Sequence, residues 1–230
     1  MRVAIDGPAG SGKSTIAQMI AERLGFLYIN SGSLYRAIAF LALREGVAWQ
    51  DVEKMINLAK KHRFDCLSDG SVIVDEECLK EELRTPEVDD IVSQVSAIPE
   101  IRAEVNNIIR RISEGKDVVS EGRDITTVVF PDADVKLYLD ASPKIRAERR
   151  YRERLSKKAS TKEEGAEADS ISIEEVRKNI EMRVKLDAQK PIGALKIAED
   201  AIYLDTSDLT IEQVYDKVYK ILRARIAHGR

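Results

Sequence analysis

The feature that most limits the possible folds is a junction at the start of the chain. Arg2-Val3-Ala4-Ile5-Asp6 runs directly into Gly7-Pro8-Ala9-Gly10-Ser11-Gly12-Lys13-Ser14-Thr15. An apolar strand, a glycine-rich turn and a helix start, in that order, open a β-α-β unit, from which parallel sheets are built. The turn also has the G-x-x-x-x-G-K-[ST] spacing of a phosphate cradle. Its glycines let the backbone bend until several N–H groups aim at one point. The helix beginning near Lys13 adds the positive end of its dipole. Lys13 reaches the β- and γ-phosphates of a nucleotide so held, and the Ser14 hydroxyl is suited to Mg²⁺. A nucleoside triphosphate with Mg²⁺ is therefore the expected ligand of Gly7–Thr15.

Apolar strand-like runs then alternate with helical patterns. Strands are expected near Val3–Asp6, Phe26–Ile29, Asp117–Ser120, Val135–Asp140 and Ala201–Leu204. Helices are expected near Lys13–Leu24, Ser33–Arg44, Trp49–Lys61, Glu87–Val95, Pro99–Glu114, Lys144–Leu155 and Ile173–Gln189, with a last one from Ile211. Thr210 with Gln213, and Ser172 with Glu175, read as capping boxes, and Ser142-Pro143 as an N-cap followed by proline. The fold class is α/β: a parallel five-stranded sheet with helices on both faces, of the P-loop NTPase type. At 230 residues one such domain accounts for the chain.

Two segments break the rhythm. Asp69-Gly70 between apolar runs marks a hairpin, hence an antiparallel insertion into a parallel fold. Inside it, Val72-Ile73-Val74-Asp75-Glu76 imitates the acidic strand end that holds Mg²⁺ in ATP-driven motors, but a hairpin strand is badly placed to lie beside the phosphate-loop strand. Residues 156–170 are polar and nearly free of apolar side chains, so they are expected to move as a lid after the arginine-rich stretch Arg146–Arg154.

The chemistry-bearing residues cluster at predicted strand ends. Asn30-Ser31-Gly32-Ser33-Leu34-Tyr35-Arg36 offers hydroxyls and a guanidinium, and reads equally well as an ordinary serine cap with a surface arginine. Ser120-Glu121-Gly122-Arg123-Asp124 places Glu, Arg and Asp side by side. Glu121 reads either as a water-mediated Mg²⁺ ligand or as a helix-capping residue. A net charge of −3 argues against a nucleic-acid partner. No apolar run is long enough to span a bilayer, and charged Asp6 follows the N-terminus too closely for a secretion signal. Cys66 and Cys78 form no C-x-x-C pair and are expected as reduced thiols, His62 and His228 as surface residues. A cytoplasmic monomer with small-molecule substrates and no membrane or nucleic-acid partner is the expectation.

The order of the phosphate loop, S-G-x-x-Y-R, R-T-x-E-V, S-x-V-S, E-G-R-D-x-x-T-V-V-F-P-D-A and R-A-x-R-R-Y resembles bacterial cytidylate kinases, from Arg2 to about Leu222. The resemblance implies that Ser31, Tyr35 and Arg36 line a monophosphate site and that Arg123 binds the acceptor phosphate. It implies that Ser93, Arg102 and Asp124 read cytosine, and that Arg183 and Asp187 serve phosphate and sugar. The reaction implied is transfer of the γ-phosphate of ATP to CMP and dCMP, with Lys13, Arg123 and Arg183 as catalytic residues and Arg149 or Arg150 as lid candidates. The domain is then divided into a core (about 1–30, 115–150 and 190–230), a monophosphate-binding insertion (about 31–114) and a lid (about 151–185). Cytosine presents an amino group at N4 beside ring acceptors, which a carboxylate and a guanidinium match. Uracil reverses the pattern at position 4 and would leave Asp124 unpaired, which a site of this kind rejects by ~10⁴-fold. The chain departs from the family pattern where Lys190 replaces the last arginine of R-D-x-x-D-x-x-R and Val184 its first aspartate, with Ala188-Gln189 also less polar than usual. Lysine lacks the planar fork of arginine. A GTPase would need an N-K-x-D motif, which is absent. A motor ATPase would need Asp75-Glu76 in the core sheet. Another small-molecule P-loop kinase, of UMP/CMP, adenylate, shikimate or dephospho-coenzyme A type, is the nearest alternative.

Overall fold

The computed structural model describes residues 1–160, 172–189 and 193–228. Its main sheet contains β1 (Arg2–Asp6), β2 (Leu27–Asn30), β6 (Val118–Gly122), β7 (Val135–Asp140) and β8 (Ile202–Asp205), in the order β2-β6-β1-β7-β8. All four pairings are parallel. Strand side chains alternate between faces, and the two cores follow that alternation. Val3, Ile5, Val119 and Tyr28 point to one face, where α1 (Lys13–Leu24) and α8 (Ile211–His228) supply Ile16, Ile20, Val214, Val218 and Leu222. Ala4, Val118 and Ile29 point to the other, under α2 (Ser31–Arg44) and α5 (Pro99–Ile112), which bring Leu34, Ile38, Ile101, Val105 and Ile109. Both faces are covered, as a parallel sheet requires.

The insertion holds α3 (Val52–Lys61), an antiparallel sheet of β3 (Phe64–Cys66), β4 (Val72–Val74) and β5 (Glu77–Leu79), and α4 (Pro86–Val95). The hairpin is therefore three strands instead of two. Of β5 only Leu79 is buried, so its Glu-Cys-Leu sequence lacks the alternating buried apolar residues of β3 and β4. Asp75-Glu76 form the β4–β5 turn, both with positive φ (47° and 77°). The motor-type reading fails on this geometry: Asp75 accepts from the Arg63 N–H and touches His62, in a separate sheet. His62 corrects a second expectation. Its side chain is only 7% exposed, held with Nε2 2.6 Å from Glu45 and Nδ1 against Asp75. Two carboxylates draw the ring inward. The side chain of His228 lies outside the described residues.

Element ends carry the expected capping chemistry. Thr210 and Gln213 bond reciprocally, as do Ser172 and Glu175. Ser142 caps α6 (Pro143–Ser160) by accepting from the Ile145 N–H. Four helix starts shift: α2 begins at Ser31 under an Asn30 cap, α3 at Val52 under an Asp51 cap, α4 at Pro86 under a Thr85 cap, and α6 at Pro143. Helix α6 runs past Leu155 to Ser160, and α7 spans Ile173–Gln189. The remainder of the expected lid, 161–171, lies outside the described residues, as does Lys190.

Candidate active site

The chain moves from β1 outward to β2, returns to place β6 between them, then crosses β1 to build β7 and β8. The strand order reverses at β1, and parallel sheets bind ligands outside the carboxyl ends of the strands at such a point. The phosphate loop, the Asn30–Ser31 junction and the turn after β6 all leave carboxyl ends on this edge.

Gly7 follows β1 so closely against β7 that an added Cβ would lie 2.0 Å from the Leu139 carbonyl oxygen, so no other residue fits. The loop is braced from the α6 side. Arg146 donates to the Ala141 and Ala9 carbonyls, and Arg149 to the Ser11 carbonyl and to both oxygens of Thr206. Arg149, one of the two lid candidates, is thus tied to the phosphate loop, whereas Arg150 pairs with Glu153. Lys13 is buried, and its Nζ donates to the Pro8 carbonyl at 3.0 Å. Burial, with the Arg123 charge second, lowers its pKa to about 7, against an opposing pull from Glu121, Asp6 and Asp187. A cation this poorly solvated gains strongly from an anion delivered to it.

Ser14 donates to Glu121 Oε1 at 2.7 Å, and the Tyr28 hydroxyl reaches the same oxygen at 3.3 Å. Glu121 is 4% exposed and stands on β6 opposite Ile5 of β1. It occupies the strand-end position beside the phosphate loop that Asp75-Glu76 only mimicked. A hydroxyl and a carboxylate meeting here form an oxygen-only donor pair, the kind Mg²⁺ takes together with nucleotide phosphates. Asn30 extends the network to the Tyr28 hydroxyl, and the Gly70 turn of the insertion packs on the Tyr28 ring. Burial pushes the Tyr28 hydroxyl above its ordinary pKa, so it stays a neutral donor.

The second half of the site lies across β6. Arg102 from α5 and Asp124 face each other with Nη2 and Oδ2 2.7 Å apart, their side chains 3% and 5% exposed. Beyond this contact, Arg102 Nε and Nη2 and Asp124 Oδ2 have no hydrogen-bond partner. Buried polar atoms left in this state cost stability unless a ligand completes them. Arg102 Nη1 donates to the Ser96 carbonyl, and its guanidinium lies 5.4 Å from the Tyr35 ring centroid. Ser93 stands one turn before Ser96 in α4, half-buried. Gly193 closes over the pair so tightly that a Cβ there would lie 2.2 Å from Arg102 Nη2 and 2.3 Å from Asp124 Oδ2.

Arg123 donates through Nε to Asp187 of α7 at 2.7 Å, linking the β6 turn to that helix. Arg36 donates to the Leu83 carbonyl and to Asp89 of α4. Ser31 is buried against Gly122, where an added Cβ would lie 2.5 Å from its hydroxyl oxygen. The structure thus gathers Lys13, Ser14, Ser31, Tyr35, Arg102, Glu121, Arg123, Asp124 and Asp187, whereas Arg36 is held by Leu83 and Asp89 of the insertion. The side chain of Arg183 lies outside the described residues. Sequence reasoning missed Tyr28, Asp89, Gly193 and Asp6. Asp6 accepts from the Ile125 and Thr126 N–H groups and the Thr126 hydroxyl, joining the phosphate-loop strand to the turn after β6. Its one local signal was a charge at the end of an apolar strand.

A sequence model of the family described as cytidylate kinase matches residues 3–224. The chain belongs to the cytidylate kinase family. It is 45% identical to a cytidylate kinase of Caldanaerobacter subterraneus subsp. tengcongensis, covering 97% of this chain and 95% of that one. It is 43% identical to a cytidylate kinase of Solibacter usitatus, covering 99% and 94%. Among solved structures, an uncharacterised protein from Eubacterium ventriosum aligns over 97% of this chain and 98% of its own with a TM-score of 0.51 at 12% identity, a likeness of fold alone. Membership makes the chain a phosphotransferase and separates it from the motor and GTPase readings. No helix among the described residues is long and apolar enough to cross a membrane.

Proposed function

We propose that this chain transfers the γ-phosphate of ATP to CMP and dCMP, yielding ADP and the corresponding diphosphate. The observation that carries this reading is the buried Arg102–Asp124 ion pair, whose Nε, Nη2 and Oδ2 have no partner beyond the pair itself, in the turn that follows β6. A carboxylate suits the cytosine amino group and a guanidinium its ring acceptors, and Ser93 is assigned to the same base.

ATP sits on Gly7–Thr15. Ser14 and Glu121 would hold Mg²⁺, which neutralises phosphate charge when bound. The acceptor phosphate lies among Ser31, Arg36, Arg123 and Arg183, with Tyr35 beneath Arg102 and Asp187 toward the sugar. An acceptor oxygen attacks the γ-phosphorus in line, the bond from γ-phosphorus to the bridging oxygen breaks, and ADP leaves. Lys13, Arg123 and Arg183 spread the charge that develops. The core (about 1–30, 115–150 and 190–230) shares the sheet-covering helices α2 and α5 with the monophosphate-binding insertion (about 31–114), and the lid is about 151–185, whose closure excludes water. The protein works as a cytoplasmic monomer on small molecules, a reading its net charge of −3 supports against nucleic acid.

A coupled ADP-release assay with ATP and CMP, dCMP, UMP, AMP or GMP tests the proposal. CMP and dCMP should be turned over far faster than the rest; equal use of AMP, or no use of CMP, refutes it. In Asp124→Asn, the ratio of kcat/KM for CMP over UMP should fall at least ~10²-fold, as expected when a donor-matched acceptor is lost. An unchanged ratio would remove Asp124 from base recognition.

A further inference from the structure

Asp6 is fully buried, ends β1, and has no part in the chemistry proposed above. Its Oδ1 accepts from the Ile125 N–H at 2.9 Å, and its Oδ2 from the Thr126 N–H at 2.7 Å and the Thr126 hydroxyl at 2.6 Å. These donors open a single π-type turn, Ile125–Val129, in which the Val129 N–H bonds to the Asp124 carbonyl and the Phe130 N–H to that of Ile125. The residue in the capping position of this turn is Asp124. An aspartate there ordinarily folds its carboxylate back onto the free N–H groups of its own first turn. Asp124 makes no such bond. Its carboxylate faces Arg102 instead.

We infer that Asp6 is a positioning residue that caps the Ile125–Val129 turn in place of Asp124, and thereby frees the Asp124 carboxylate to read the acceptor base. The capping comes from a strand about 120 positions away, and that strand also leads into the phosphate loop. One side chain therefore sets the base reader relative to the triphosphate cradle. Asparagine cannot substitute. Its amide would present N–H to a backbone N–H or to a hydroxyl already donating, and one turn donor would be orphaned. Asp124 would then be drawn back to cap its own turn. The inference rests on the CMP reading for the identity of the base, but not for the direction of the effect.

The test measures kcat and KM for CMP, UMP and ATP in the wild type, Asp6→Asn and Thr126→Val. Thr126→Val removes one of the three bonds and keeps the shape of the side chain. Asp6→Asn should raise the KM for CMP and lower the CMP/UMP ratio of kcat/KM by at least ~10-fold, with the KM for ATP within about twofold of wild type; Thr126→Val should lower that ratio ~3- to 5-fold, the scale of one hydrogen bond. Circular dichroism checks that each variant is folded. If Asp6→Asn does not fold, Thr126→Val decides alone: an unchanged CMP/UMP ratio overturns the inference. Equal losses for CMP, UMP and ATP in either folded variant overturn it too, because a merely structural role predicts no selectivity. A wild type that does not use CMP refutes the functional reading instead, and the ratio of its two best acceptors then carries the same comparison.

Discussion

Binding of ATP should be accompanied by proton uptake at Lys13, and the amount follows from the site. Lys13 Nζ is enclosed, bonded to the Pro8 carbonyl, and burial followed by the Arg123 charge holds its pKa at about 7. At pH 8 such a group carries roughly 0.1 proton, and at pH 7 roughly 0.5. A triphosphate placed against it supplies opposite charge within contact distance, which raises a pKa by about 1 to 3. Binding at pH 8 should therefore take up roughly 0.8–0.9 proton at the upper end of that range, and about half as much at pH 7. Isothermal titration calorimetry in buffers of differing ionisation enthalpy gives the number directly from the slope of observed against ionisation enthalpy. Lys13→Arg, charged at every accessible pH, should abolish the uptake. Uptake below about 0.3 proton at pH 8, or uptake as large in Lys13→Arg, would refute the reasoning. The same displacement has a sign for folding. The unfolded lysine titrates near its ordinary value and the folded one near 7, so between those limits the unfolded state binds more protons. This group's contribution to stability thus rises with pH from about 7 toward 10.5, and is a full penalty below about 7.

The other expectations concern the ends of the same site and one turn outside it. Glu121→Gln removes the carboxylate that accepts from Ser14, and should raise the Mg²⁺ concentration for half-maximal velocity ~10-fold; an unchanged requirement would take Glu121 out of metal binding. Gly193→Ala sets a Cβ within 2.4 Å of three polar atoms of the Arg102–Asp124 pair, at a φ of 68° that alanine resists. It should raise the KM for CMP at least ~10-fold with little change for ATP, and a normal CMP KM would refute the placement of Gly193 over the base reader. Glu76→Gly relieves a left-handed residue in the exposed β4–β5 turn, φ 77°. Relief of about 1–2 kcal/mol less about 0.5–1 kcal/mol of added chain entropy should leave a net gain of about 0.5 kcal/mol, read from the urea midpoint; a loss would refute the strain argument.

What the amino-acid pattern reveals and what it hides divide along a physical line. The phosphate loop is legible because all its parts are within nine residues, and the sheet because alternation within each strand feeds two cores. Parallel topology then puts every strand's carboxyl end on one edge, so the polar residues Ser31, Glu121, Arg123 and Asp124 stand out as candidates by their place at strand ends alone. Adjacency is what a local pattern lacks. Val72–Val74 and Val118–Ser120 each run into an acid, Asp75 and Glu121, yet only the second pairs with β1, where Glu121 stands opposite Ile5. Asp6 bonds to groups 119 and 120 positions away, and Arg36 to Asp89 at 53. Such partners are set by the register of the folded sheet. The same holds for His62, whose burial depends on Glu45 and Asp75 arriving from two separate turns. The family motif names Asp124, but its carboxylate faces Arg102 and not its own turn, whose first N–H groups go to Asp6, and no spacing within the motif connects Asp6 to it.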